Sequence, residues 1–400
     1  MSWSELIPYL VIAPITAGVG WLTNLLGIKM MFYPVNFVGI GQYFGWQGII
    51  PRLRIRLTRN LVNISIAKIC SPREVVAALD DGDAIEKIQT LISPYINDWI
   101  DEILIDQNIQ AWQYTPEMVK KMIFNRVQEK LPGVAKGILA EFAGRADQLV
   151  DFAQIAENQV RDNPELLNEL FLRCAGSELR FVIRSGLLFG FPLGCVQALI
   201  WYFYPYVWVL PVFGVFVGAG TNWIALKMIA HPADPIMIGP FKLQGLYLRR
   251  QPVVSREFAE IFTSSFMSPK AFMDYLWEGP KSMEVHRIVH RHVRKALDKN
   301  MLGKVAAQMA GTVEKLKQKS VEYTADRIIL TIDNPDANRK LAQPIVDLIA
   351  NRMAALKPKD FQQLLLPAFE QDQLLIVLLG GILGGLVGFA QLLWLFGAPI

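Results

Sequence analysis

Two asparagines lie where an apolar helix seldom carries an amide. Asn24 belongs to the stretch Thr23-Asn24-Leu25-Leu26-Gly27-Ile28-Lys29-Met30, and Asn222 belongs to Thr221-Asn222-Trp223-Ile224-Ala225-Leu226-Lys227-Met228, 198 positions later. Each stretch closes a long apolar run and is followed by a proline, Pro34 or Pro232. In hydrocarbon an amide must find a partner, across a helix interface or in a polar cavity. A binding role would use Thr23, Asn24 and Lys29 in one copy and Thr221, Asn222 and Lys227 in the other, with hydroxyl, amide and ammonium facing one ligand. The competing role is a clamp between helices, or a local bond near a helix end.

Other chemistry-bearing residues are weaker signals. Arg52, Arg54, Arg56 and Arg59 form a basic run, and Arg249-Arg250 stands at the matching place in the second copy. Near an anionic leaflet each such charge is worth about 1 kcal/mol, so Arg52, Arg54, Arg249 and Arg250 are candidate lipid-headgroup contacts. The same arginines also suit a solvated face that follows the positive-inside bias. His286 and His290 have the i, i+4 spacing of zinc sites, but no third ligand follows the usual pattern and Arg287, Arg291 and Arg294 would repel a cation. No metal site is expected. The sequence shows no P-loop, nucleotide fingerprint, nucleophile elbow or paired cysteines, so no catalytic residue, cofactor or enzyme activity is expected. With 40 Lys and Arg against 36 Asp and Glu, a nucleic-acid surface is not indicated.

The two asparagine stretches are part of a longer self-similarity, which a sequence shows when a unit is duplicated. At an offset of 197, Gln47-Gly48 matches Gln244-Gly245, Arg52 matches Arg249, Arg59 matches Arg256, and Ser71-Pro72-Arg73 matches Ser268-Pro269-Lys270. At an offset of 194, Gly186, Gly190, Gly194 and Gln197 match Gly380, Gly384, Gly388 and Gln391. Glycine at every fourth residue leaves one helix stripe bare, so another helix can approach closely. These six glycines are candidate packing residues, and the two ladders are expected to meet each other within one bundle.

Charge distribution locates the membrane. The chain is 52% hydrophobic, and its charges avoid particular stretches: before Lys29 only Glu5 is charged, and none occurs from Ser185 to Leu226 or after Asp372. The apolar runs 6–28, 185–203, 209–229 and 373–396 are each long enough for a hydrocarbon core of about 30 Å, or nearly so. The expected class is an all-α integral membrane protein with about four transmembrane helices and two cytosolic helical blocks. The first repeat, 1–203, holds the block 29–184; the second, 204–400, holds the block 230–372. Both repeats enter from the same side, as parallel repeats about an axis along the membrane normal. No signal peptide is expected, because a basic leader is lacking, and Cys70, Cys174 and Cys195 share no metal or redox spacing.

Within the blocks the start signals are specific. Ser71-Pro72-Arg73-Glu74 is a capping box with proline at the first helical position. Ile85, Ile88, Ile92, Tyr95, Ile96, Trp99 and Ile103 recur at helical spacing. Further helices are expected from Thr115-Pro116-Glu117, Asn163-Pro164-Glu165 and Asn334-Pro335, the one after Glu165 running through Arg180 and Arg184 into the membrane. Residues 32–51, rich in glycine and aromatics, are expected to be a loop at headgroup level.

The paired Thr-Asn-x-x-x-x-Lys-Met motif, its following proline, and Gly239-Pro240-Phe241-Lys242-Leu243-Gln244-Gly245 with arginines behind it resemble bacterial membrane proteins of the YheB/YjiN type. The resemblance covers nearly the whole chain. The first copy departs from the second by Trp46-Gln47-Gly48 and then Pro51, which the second lacks. The resemblance implies the bacterial inner membrane, or the thylakoid membrane in a cyanobacterium, and brings no reaction with it. The functional expectation is therefore a non-enzymatic envelope scaffold touching the lipid bilayer and protein partners, with a small-molecule or lipid transporter as the alternative.

Overall fold

The computed structural model describes residues 3–41, 44–78, 112–238, 241–296, 335–365 and 373–396. Helix α1 (Trp3–Phe32) carries the first apolar run. It stops at the residue before Tyr33-Pro34, because a proline disfavours the helical region for its predecessor. Tyr33 N donates to Lys29 O at 2.8 Å, and Asn168 Nδ2 donates to Phe32 O at 2.7 Å, so two end carbonyls find donors. Lys29 in the last turn complements the negative end of the helix dipole.

The segment after α1 is more ordered than a loop. Strands β1 (Val38–Ile40) and β2 (Phe44–Trp46) form an antiparallel hairpin with Val38 opposite Trp46 and Ile40 opposite Phe44. Gly41 turns the chain with a φ of 65°, a conformation glycine adopts without steric cost. The hairpin leads into the single turn α2 (Ile49–Arg52) and helix α3 (Arg54–Lys68). Alternation of aromatic and glycine residues conceals these short strands in the sequence.

Pro72 opens α4 (Pro72–Ala78), and the capping box closes around it: Ser71 N donates to Glu74 Oε2 at 2.9 Å and Glu74 N to Ser71 Oγ at 3.3 Å. Next come α5 (Glu117–Leu149) and α6 (Phe152–Asp162). The expected helix bearing Ile85 to Ile103 lies outside the described residues. Helix α7 (Leu166–Phe203) then runs unbroken for 38 residues, about 57 Å at about 1.5 Å per residue, so it continues well beyond a hydrocarbon core. Arg180 and Arg184 mark where it leaves the apolar zone.

Helix α8 (Val209–Ala230) ends as α1 does, with His231 N donating to Lys227 O at 2.8 Å ahead of Pro232. It too is followed by an antiparallel hairpin, β3 (Ile236–Ile238) with β4 (Phe241–Leu243), then by the turn α9 (Leu246–Arg249) and helix α10 (Gln251–Ile261). Past a π-helical turn at Phe262–Phe266 come α11 (Pro269–Glu278), α12 (Ser282–Ala296), α13 (Pro335–Ala354), α14 (Pro358–Leu365) and α15 (Gln373–Phe396). Among the described residues four helices are long and apolar enough to cross a membrane, over Tyr9–Phe32, Leu166–Phe203, Val209–Ile229 and Val377–Trp394. The chain is a predominantly α-helical membrane protein, the two hairpins being the strands among the described residues.

Two compact units draw on both sequence halves. The first comprises Met1–Ile64, Val160–Phe258 and Met353–Ile400, and so contains all four spanning helices. At its centre Ile12 and Leu210, positions 198 apart, pack with Trp201 and Leu392. The second unit comprises Ser65–Gln159 and Ala259–Arg352. Its interior includes Val76, Ala146, Leu149, Phe266, Val285 and Ile288, contributed by α4, α5, the π-turn and α12.

Candidate functional site

The Thr-Asn residues are buried inside the membrane unit. Thr23 Oγ1 donates to Gly20 O within its own helix at 3.1 Å, which settles the hydroxyl locally. Asn24 reaches across to α7: its Nδ2 donates to Val182 O at 2.6 Å and lies 3.5 Å from Ser185 Oγ. Ser185 Oγ in turn donates to Val182 O at 2.7 Å, so that carbonyl accepts two side-chain bonds besides its place in the helix. Asn24 Oδ1 has no hydrogen-bond donor among the described residues. In the second copy Thr221 Oγ1 lies 3.4 Å from Gly218 O, and the Asn222 amide presses against Gly380 of α15. Lys29 and Lys227 are exposed at the helix ends, one turn or more from the buried amides, so the three residue types do not converge on one ligand position.

The glycines explain how the helices come so close. A Cβ built at Gly20 would stand 2.6 Å from Gly186 O, one at Gly190 would stand 2.9 Å from Ala17 Cα, and one at Gly194 would stand 2.7 Å from Ala13 Cα. In the other copy Gly380 abuts Gly218, Gly384 abuts Gly214, and Gly388 abuts Leu210 and Pro211. Each ladder therefore packs on the leading helix of its own half, α7 on α1 and α15 on α8. This corrects the expectation that the ladders meet each other. The reason lies in α1 and α8, whose own small residues, Ala13, Ala17 and Gly20 or Gly214 and Gly218, supply the matching bare stripes. Gln197, on the same face as its ladder, accepts from Thr16 Oγ1 at 2.8 Å and approaches Leu210 O at 3.4 Å, joining α7 to both α1 and α8.

A second polar group lies toward the end of α7 that precedes the apolar run. Glu178 is only 3% exposed and faces Arg250, whose Nη1 is 3.2 and 3.1 Å from the two carboxylate oxygens and also bonds Ser177 Oγ. Glu257 stands 4.0 Å from Arg250 on its other side. The Tyr247 ring stacks on Phe361 at 4.9 Å between centroids, and its buried hydroxyl has no hydrogen-bond partner among the described residues. Burial, with the Cys174 and Glu178 sites nearby, pushes the Tyr247 phenol well above its ordinary value. Arg250, expected as a headgroup contact, is thus committed to a protein carboxylate, whereas Arg52 and Arg249 are exposed and Arg54 Nη1 donates to Pro51 O at 3.1 Å. Glu178 is absent from the residues that motif and spacing single out. Its position on the stripe Phe171, Cys174, Glu178, Val182 and Ser185, all buried, carries the signal, since an acid at helical spacing among core residues must be paired.

In the second unit Glu141 accepts from His292 and Arg291 beside Arg145, which pairs with Glu284. Burial would raise the Glu141 carboxyl, yet the His292 hydrogen bond and the neighbouring cations hold it below the usual range. His286 packs edge-to-face on Trp277 at 5.2 Å, while the His290 side chain lies outside the described set.

No family model matches the chain, and no solved structure is significantly similar to it. Relatives nonetheless span it. A "UPF0754 membrane protein" of Synechococcus sp. (strain JA-2-3B'a(2-13)) is 23% identical over 97% of this chain and 99% of its own length. One from Picosynechococcus sp. (strain ATCC 27264 / PCC 7002 / PR-6) is 22% identical over 97% of this chain and 98% of its own. A Nostoc sp. (strain PCC 7120 / SAG 25.82 / UTEX 2576) protein of the same designation is 29% identical over 43% of this chain. These names support an uncharacterised family of bacterial membrane proteins, not the YheB/YjiN designation. With four apolar spanning helices and relatives from cyanobacterial membranes along its whole length, the chain is a bacterial membrane protein.

Proposed function

We propose that the protein is a non-enzymatic platform of the bacterial envelope, a four-helix membrane unit that carries a helical unit for interaction with other proteins. The observation that supports this reading is the bond from Asn24 Nδ2 to Val182 O. An amide whose donor is spent on a neighbouring backbone, beside glycines in backbone contact, holds helices together and leaves little room for a passing substrate. The matched hairpins reinforce a reading of the halves as parallel repeats. Gly48 N donates to Pro34 O at 2.9 Å and Gly245 N to Pro232 O at 3.0 Å, while Gln47 and Gln244 each donate to a backbone oxygen, of Val35 and Ala233. The inner or thylakoid membrane, and the finer YheB/YjiN affiliation, belong to the same reading.

The test is a photo-crosslinking amino acid at Met283 or Arg287, both exposed on α12, in cells making the full chain. The platform reading expects adducts of defined, recurring mass that vanish when the probe sits at Tyr206. Absence of adducts, with solute uptake by proteoliposomes that depends on the protein, contradicts it.

The second reading, a small-molecule or lipid transporter, draws on Glu178. An ionisable residue buried on a helix that continues into the membrane is a functional candidate by default, here with Arg250 as its partner. Uptake that is lost in Glu178→Gln while the variant stays folded would favour it.

A further inference from the structure

We infer that the recess at the end of α1 binds one zwitterionic phospholipid by its headgroup. The recess, about 660 Å³, is bordered by Lys29, Met30, Tyr33, Asn36, Val38 and Glu165. Lys29 lies in the last turn of a membrane-spanning helix, so the recess adjoins the lipid-facing surface of α1. Two opposite charges line it, and neither the Lys29 ammonium nor the Glu165 carboxylate has a partner among the described residues. An ordinary anion would meet Lys29 favourably and Glu165 unfavourably. A headgroup that carries a phosphate and an ammonium answers both charges at once, with the Tyr33 hydroxyl and Asn36 amide as hydrogen-bond donors to phosphate oxygens.

The hairpin that supplies Val38 to the recess carries further bare apolar side chains. Val38, Ile40 and Phe44 on the hairpin are largely exposed, at 63%, 86% and 81%, and directly follow the spanning helix. Apolar side chains laid bare beside a membrane span suit the glycerol and upper acyl region of a lipid. These exposed apolar side chains favour a lipid over a free zwitterion.

The other half of the chain explains why one site is expected and not two. At the offsets of 198 and 194 that relate the halves, Asn36 corresponds to Asp234 and Glu165 to Lys359. There the two residues pair with each other, Lys359 Nζ lying 3.4 Å from Asp234 Oδ2. The acid there stands at the place of Asn36 and a lysine at the place of Glu165, and these two charges satisfy each other.

Native mass spectrometry of the full chain in maltoside micelles tests this, titrating phosphatidylethanolamine, phosphatidylglycerol and water-soluble glycerophosphoethanolamine. Phosphatidylethanolamine is expected to bind one per chain, about fivefold tighter than phosphatidylglycerol, the worth of one partly exposed ion pair. Glu165→Gln should erase that preference, Lys29→Gln should weaken both lipids, and Lys359→Gln should change neither. Asp234→Asn with Lys359→Glu should raise the stoichiometry to two. Equal binding of both lipids that Glu165→Gln leaves untouched overturns the assignment. So does soluble glycerophosphoethanolamine binding as tightly as the lipid, which would make the ligand a free zwitterion. Melting curves of each variant confirm that these exposed substitutions leave the fold intact, and a preference that survives in a folded Glu165→Gln variant counts against the proposal.

Discussion

The amide nitrogen of Asn24 stands 2.6 Å from the carbonyl oxygen of Val182, 158 positions away, and ties the first spanning helix to the helix that closes the same half. That bond decides how the repeated motif is read. Where lipid removes the hydrophobic drive between helices, a cross-helix hydrogen bond and close backbone contact are the forces left to hold them. Asn24 supplies the first and the glycine ladder supplies the second, along a single interface.

Glycine substitutions should separate close contact from mere abundance of small residues. Gly186→Ala and Gly384→Ala put a methyl group into the backbone of Gly20 or Gly214 and should lower the melting temperature in detergent clearly. Gly176→Ala and Gly220→Ala meet nothing within 4 Å and should melt as the wild type or slightly later, since alanine favours a helix by up to about 1 kcal/mol. Gln391→Leu should be mild, because a cross-helix amide in a membrane protein averages about 0.6 kcal/mol.

In the second unit, acid stability should depend on Glu74. Its carboxylate accepts from Arg352, 2.7 Å away, and from the Ser71 backbone, and these bonds bring it from an ordinary 4.5 down to about 2. A carboxyl depressed in the folded state contributes stability above the unfolded value and loses it as pH falls from about 4.5 toward about 2. Because the Glu74 side chain is 42% exposed, solvent screens the pair and the contribution is modest. Circular dichroism melts should show Glu74→Gln below the wild type at pH 7, with the gap narrowing as pH falls below about 4.5 and closing only near pH 2. A constant gap across that range would deny the linkage.

Topology follows from where the charges sit. With every Lys and Arg between 29 and 184 or between 227 and 372, both blocks should face the cytosol and the 204–208 turn should face outward. In a background without Cys195, which is exposed, a membrane-impermeant maleimide should label Tyr206→Cys on intact cells and Ser282→Cys only after lysis. Labelling of position 282 from outside would reverse the orientation.

The spanning helices are legible because charge exclusion is a coarse, cumulative signal that survives without knowledge of tertiary contacts. The same holds for the Ser71-Glu74 capping box, whose bonds are local. The pairing of the ladders is not legible, because glycines mark that a helix is approached closely but not by which neighbour, and the small residues of α1 and α8 look merely tolerable in sequence. Arg250 has the look of a headgroup contact because its partner Glu178 lies 72 positions away and comes beside it only in the folded unit. The hairpins escape notice since three-residue strands carry too few alternations to register.

Whether Asn24 and Asn222 hold helices together or receive a substrate can be decided by the thermal unfolding of the double variant Asn24→Leu with Asn222→Leu in detergent, followed by helical circular dichroism. Leucine is at home in lipid, so the variant should still insert into the membrane. If the amides clamp, losing the Asn24 cross-helix bond, worth about 0.6 to 1.7 kcal/mol, and the Asn222 contact with Gly380 should lower the midpoint by an amount on the order of 5 °C. A double variant that melts with the wild type, yet no longer moves a solute that the wild type carries across proteoliposomes, would contradict the clamp.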